Sequence, residues 1–162
     1  MIGASKATPA ERELAREVGR LIARAGATLV CGGLGGVMEA AAQGAFEEGG
    51  LTVGILPGNS RGDANPFIRV AISTGMGEVR NVIIVKSCDC LVAVGGGYGT
   101  LSEIATGMRL GVGVVGLLTW EVAGRDPDLV VRAPTAEEAV GRALAIAREK
   151  RNAQNDGKNH AN

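Results

Sequence analysis

The sequence predicts an α/β protein: one domain built on a doubly wound parallel sheet with helices on both faces and a first strand that is truncated. Three observations carry this. Short apolar runs rich in Val, Ile and Leu alternate with longer segments of helical period, the pattern of right-handed βαβ units. Two of those runs end in glycine clusters that open directly into helices. Aromatic residues make up only 2% of the 162 residues, whereas the 26 glycines are about twice the ordinary share. An aliphatic core with glycine at the turns after strands suits a Rossmann-like fold.

Each element follows from local chemistry. Met1-Ile2-Gly3-Ala4-Ser5 reads as the end of a strand and the glycine turn after it. Strands usually run about five or six residues, so either the true start lies upstream or the fold tolerates a stub. Thr8 caps the first helix, Pro9 suits its first position, and Glu11 completes a capping box. Leu14, Val18, Leu21, Ile22 and Ala25 form its apolar stripe, and Gly26 ends it. A strand at 28–31 and a helix over 37–48 follow, the latter broken by Gly49-Gly50. Next come a strand at 52–56, a polar loop from Pro57 to Pro66, and a short strand at 69–73. A helix over 78–87, a strand at 91–94, a helix over 101–110 and a strand at 112–118 continue the alternation. Thr135 opens the last helix, with Glu137 and Glu138 in its first turn, and it runs to Arg151. Residues 1–151 make the domain, and the polar stretch 152–162 is expected to be a disordered tail.

The two glycine loops superpose on one another. Gly32-Gly33-Leu34-Gly35-Gly36-Val37-Met38-Glu39 and Gly96-Gly97-Tyr98-Gly99-Thr100-Leu101-Ser102-Glu103 share the pattern GG-x-G-x-x-x-E. A strand-to-helix turn without side chains leaves backbone N–H groups free at the positive end of a helix dipole, a ready phosphate site. Gly32, Gly33, Gly35 and Gly36 in the first loop, and Gly96, Gly97, Tyr98, Gly99 and Thr100 in the second, are the candidate phosphate or nucleotide contacts. The competing reading is that strand-to-helix turns want glycine for packing alone.

Composition narrows the partners. Formal net charge is zero, which with so few aromatic rings for base stacking argues against nucleic acid. No apolar run approaches the roughly 18 residues of a membrane span, and the start does not read as a signal peptide. A cytoplasmic protein is expected, with its three cysteines reduced. Cys88, Cys90 and the lone His160 are too few and too badly spaced for a zinc site, so neither metal nor cofactor is expected.

GAS at Gly3 to Ser5, CGGLGGVMEAA from Cys31, Pro57-Gly58, Asn65-Pro66, STGMGEVRN from Ser73 and GGGYGTLSE from Gly95 together resemble the LONELY GUY (LOG) family. The resemblance extends to its relatives: lysine decarboxylase-like proteins, molybdenum cofactor carrier proteins and the DprA/Smf-related group. It covers Gly3 to about Ala147. It implies a Rossmann-like fold, a dimer or larger assembly, and a phosphorylated nucleotide-like ligand. LOG enzymes carry PGGxGTxxE and split a nucleoside monophosphate into free base and ribose 5-phosphate. Here Gly95 stands in place of the proline, while Gly96, Gly97, Gly99, Thr100 and Glu103 match. Arg80 matches the second signature, but Asn81 replaces its lysine. These departures look closer to the carrier-like branch. None of Lys6, Lys86, Lys150 and Lys158 lies in a motif suited to a pyridoxal Schiff base, so a lysine decarboxylase is excluded.

Two residues are the catalytic candidates. Glu103 either binds the ribose and stabilises an oxocarbenium-like state or merely caps its helix with Thr100. Arg80, on a helix apolar nearly all round, needs an anion: Glu78 or Asp89 nearby, Glu103, or a ligand phosphate. Ser5, Glu39 and Asn81 are secondary candidates, and Asn59, Arg61 and Asp63 sit on a loop where contacts or plain solvation are equally open. Two functions follow. One is phosphoribohydrolase action on a nucleoside monophosphate. The other is non-catalytic binding or carriage of a nucleotide-like or molybdopterin-type compound. The apolar helix from Val79 to Val85, with Ile104, Met108 and Leu110 beside it, predicts a homodimer contact next to the pocket.

Overall fold

The computed structural model describes residues 1–122 and 130–159. Seven strands, all parallel where paired, alternate with five α-helices among these residues. In chain order they are β1 (Ile2–Gly3), α1 (Pro9–Arg24), β2 (Leu29–Cys31), α2 (Val37–Glu47), β3 (Thr52–Leu56), β4 (Val70–Ser73), α3 (Asn81–Lys86), β5 (Cys90–Val94), α4 (Tyr98–Leu110), β6 (Gly113–Leu117), β7 (Val130–Arg132) and α5 (Ala136–Asn159). Hydrogen bonding groups the strands as β1-β5-β6-β7 and β2-β3-β4. The two groups meet at β1, where the Met1 nitrogen donates to the Val30 carbonyl at 2.7 Å. Because β1 is only two residues long, it pairs with β5 alone. Below Met1 a cavity of about 510 Å³ opens between β2 and β5, roofed by α1 and α5.

Side chains of successive strand residues go to opposite layers, which is why β5 and β6 are apolar without a break. Val92 and Val94 pack with α1, α2 and α5, whereas Leu91 and Ala93 pack with Ile84, Val85 and Ile104 of α3 and α4. The α1 cap forms as its sequence predicts: the Thr8 hydroxyl accepts from the Glu11 N–H, and the Glu11 carboxylate accepts from the Thr8 N–H at 2.7 Å. Helices α1 and α2 approach so closely that a methyl group on Gly44 would lie 1.9 Å from the Arg16 carbonyl oxygen. Arg16 and Glu47 then bridge the two helices at 2.7 Å. The three cysteines are free thiols.

Four expectations need correction. The segment expected as one helix over 78–87 is a 3-10 turn at Gly77–Arg80 followed by the short α3. Its apolar character is satisfied only in part inside the chain: Ile84 and Val85 are buried in the core, as is Ile104 of α4, whereas Val82 and Ile83 are half-buried and Val79 is exposed. The helix expected from Leu101 begins three residues earlier, because the glycine loop itself forms the first turn. Strand β7 carries too short a run to stand out in sequence, and α5 continues to Asn159, past the helix end expected at Arg151. No helix among the described residues is long and apolar enough to cross a membrane.

Two of the helical glycines, Gly44 and Gly141, should respond oppositely to alanine. Gly141 faces open space, so Gly141→Ala gains up to about 1 kcal/mol of helix propensity. Gly44→Ala meets backbone and should cost about 1–3 kcal/mol through forced separation of α1 from α2. Urea denaturation of both variants reads the difference.

Candidate functional site

The loops after β1, β2 and β5 emerge side by side at the carboxyl edge of the sheet. Here strands β1 to β4 run off to one side and β5 to β7 to the other. That reversal is where open α/β sheets bind ligands. The cleft between the loops has a volume of about 460 Å³. Of the residues singled out by sequence, Ser5, Gly32, Arg80, Asn81, Gly97, Tyr98, Gly99, Thr100 and Glu103 line it.

The second loop is built to present bare backbone. Gly97 is the N-cap of α4 and supplies no side-chain acceptor, so the amides of Tyr98, Gly99 and Thr100 open the helix uncapped. Gly97 and Gly99 face open space. Gly96 adopts φ +110°, and a methyl group there would strike the Thr100 side chain at 2.4 Å, so this glycine lets Thr100 fold in beneath the loop. From the outside, Trp120 Nε1 donates to the carbonyls of Gly96 and Gly97, both at 3.1 Å. In trans peptides the N–H points opposite the C=O, so this clamp turns the Gly97 and Tyr98 amides away from the indole. The Thr119 hydroxyl donates to the Gly95 carbonyl and holds the loop's first residue.

The first loop is similar in sequence and different in role. Its N-cap, Gly36, carries φ +69°, and a methyl group there would lie 2.2 Å from the Ala4 carbonyl oxygen. That same carbonyl accepts from the Val37 N–H at 2.9 Å, so the first amide of α2 is occupied within the chain. Asn65, buried, ties the loop down: its Nδ2 donates to the carbonyls of Gly33 at 3.2 Å and Leu34 at 2.9 Å. Gly33, Gly35, Gly36 and Gly96 lie outside the cleft lining, and packing explains Gly33, Gly36 and Gly96. Glu39 does not face the cleft either, lying instead 3.7 Å from Arg12. Asn59, Arg61 and Asp63 sit on the exposed loop and do not reach the cleft. Met1, Leu34, Met38 and Pro57 do line it; being apolar, they carried no chemical signal in the sequence.

Gly32 is the exception in the first loop. A methyl group on it would lie 2.7 Å from Arg80 Nη2, so the missing side chain makes room for the guanidinium. Arg80 is 7% exposed and makes a hydrogen bond to Asn81 Oδ1, while its Nε is buried without a partner. Neither local carboxylate neutralises it. Asp89 pairs with Arg151 at 3.0 Å, and Glu78 lies beyond ion-pair distance. Burial pulls the guanidinium below its usual range, against the opposing charges of Glu103, Cys31 and Glu78.

Glu103 is not a helix cap. Because α4 starts at Tyr98, Thr100 is its third residue and Glu103 lies in the second turn, so the capping-box reading of this pair does not hold. The Glu103 carboxylate is buried at 7% exposure and accepts no hydrogen bond among the described residues. Burial pushes this carboxyl up to about 7, against the pull of the Met1 amino group and of Arg80. No group of three or more metal-ligating side chains occurs among the described residues.

Uncapped amides and a buried guanidinium whose Nε lacks a partner thus meet in a switch-point cleft of a Rossmann-like fold. The chain belongs to the SLOG cluster4 family, whose model matches residues 1–151. It is 46% identical over 144 residues to an uncharacterized protein of Archaeoglobus fulgidus, covering 86% of this chain and 89% of that one. Among solved structures it is similar to the molybdenum cofactor binding protein of Rippkaea orientalis, with TM-score 0.84, 36% identity, and coverage of 90% and 93% of the two chains. The Moco carrier protein of Chlamydomonas reinhardtii follows at TM-score 0.83 and 33% identity, covering 91% of this chain and 95% of that one.

The raised Glu103 carboxyl makes stability depend on pH. Between about 4.5 and 7 the folded state holds a proton that the unfolded state has lost. Stability therefore falls as pH rises through this window, by about 3 kcal/mol, and levels off above it. Glu103→Gln should remove this slope and be the more stable form at pH about 8. Urea unfolding of both proteins across that range checks it.

Proposed function

We propose that this chain is a binding or carrier protein for a phosphorylated, nucleotide-like compound of the molybdopterin type. The observation that carries the reading is the buried Arg80, whose Nε has no partner and which forms no ion pair among the described residues, beside the uncapped amino terminus of α4. A phosphate group suits both: it accepts from the amides of Tyr98 to Thr100 and offers the charge that Arg80 lacks. The open positions at Gly97 and Gly99 leave the room it needs. The likeness to molybdenum cofactor carriers along nine-tenths of the chain supports the choice of compound. Gly95 supports carriage over LOG-type cleavage. Its φ is +53°, which proline, locked near −65°, cannot adopt, so a loop of the PGGxGTxxE type takes a different path here.

Binding is tested with the molybdenum cofactor and with nucleoside monophosphates, by calorimetry and thermal shift. Gly97 has φ −98°, open to any side chain, so Gly97→Val should fold normally and lose binding about tenfold or more by filling the phosphate position. Arg80→Gln should weaken binding comparably. A wild-type protein that binds no phosphorylated compound overturns the reading.

Phosphoribohydrolase action is the second reading, favoured by one observation: a carboxyl raised to about 7 stands in the cleft beside Arg80. There Glu103 would stabilise positive charge on the ribose while water adds across the N-glycosidic bond, releasing the free base and ribose 5-phosphate. Release of free base from nucleoside monophosphates above a Glu103→Ala control separates this reading from carriage.

Assembly as a homodimer belongs to the same proposal. Register places Val70 and Ile72 beside Val53 and Ile55, on the α3 and α4 side of the sheet. Val70 is 44% exposed, Ile72 46%, Met76 47% and Val79 65%, an apolar shelf next to the cleft. Light scattering should give a dimer or larger species at micromolar concentration, and Val79→Glu should shift it toward monomer.

A further inference from the structure

The chain has one Tyr and one Trp, and both stand at the second glycine loop. Core packing does not account for the tyrosine, which is 84% exposed in a protein whose interior is otherwise aliphatic. Its ring lies 5.8 Å from the Trp120 ring at an interplanar angle of 33°. Trp120 is itself held in place by its two hydrogen bonds to the loop carbonyls. One face of Tyr98 is thus backed by a fixed indole, while the residue lines the cleft. Tyr98 is also the first residue of α4, so the ring is anchored on the same turn whose amides are free. A ligand of nucleotide size can reach both.

We propose that Tyr98, backed by Trp120, is the platform on which the planar heterocycle of the ligand stacks, so that the cleft selects ring-bearing phosphates over bare sugar phosphates. This rests on the reading of the cleft as a phosphate site. Stacking tolerates any flat π-system, so the platform sets the class, a phosphorylated purine or pterin, and leaves the choice of ring to other contacts.

The experiment compares guanosine 5′-monophosphate with ribose 5-phosphate on wild type, Tyr98→Ala and Tyr98→Phe. Affinities come from calorimetry, and the single tryptophan reports on the ring. In wild type the nucleotide should bind more tightly than the sugar phosphate and quench Trp120 fluorescence. Tyr98→Ala should narrow the affinity ratio about tenfold, and Tyr98→Phe should restore it. If both compounds bind wild type but the ratio is unmoved in Tyr98→Ala, the platform is overturned and the phosphate reading stands. If neither compound binds wild type, the phosphate reading fails, and the platform fails with it.

Discussion

A buried guanidinium with no ion pair among the described residues is the constraint around which this site is arranged. Taking an arginine out of water costs several kcal/mol unless it is paired, and Arg80 keeps an orphaned Nε. The groups around it accommodate that charge without cancelling it. Gly32 gives it space, Asn81 holds one end of the fork, and burial raises the Glu103 carboxyl, so at neutral pH it is only partly ionised. The amino terminus of α4 adds further positive potential. These local groups leave the Arg80 charge without an ion pair among the described residues, and under the proposed function a ligand phosphate would supply one.

The two glycine loops show how one pattern serves two ends. Both turn from strand to helix over bare backbone, yet the first is closed by its own chain. The Ala4 carbonyl takes the first amide of α2, and Asn65 draws the loop toward β3. Among the described residues no side-chain acceptor caps the second loop. Its carbonyls are held from behind, by Thr119 and Trp120. Fixing the carbonyl side while leaving the amides bare is a form of preorganisation: the donors stand ready without a side chain having to move. Gly95 belongs to this geometry, since its positive φ turns the chain where the Glu11 carboxylate lies close above it.

Local chemistry made most of the frame legible in the sequence. The capping box at Thr8 and Glu11, the unbroken apolar runs of β5 and β6 and the glycine turns depend on neighbours in the chain, so their residues alone predict them. The α/β class and the two loops were readable in this way, whereas Arg80 and Glu103 were singled out as candidates with the help of the family resemblance. The 3-10 turn before α3 and the three-residue β7 were not, because each is stabilised by what it packs on rather than by its own pattern.

Tertiary structure alone decided which loop is open. That depends on Ala4 reaching Val37 and on Asn65 reaching Leu34, contacts between residues about thirty positions apart. It decided that Glu103 is a cleft carboxylate and not a cap, since the start of α4 is set by how the loop folds over Thr100. It also brought Trp120 onto a loop more than twenty residues earlier in the chain. By itself the sequence determined the strand-loop-helix units and the residue types able to hold a phosphate. Which amides stay free and which charges go unpaired are set by long-range packing, and local patterns carry no record of it.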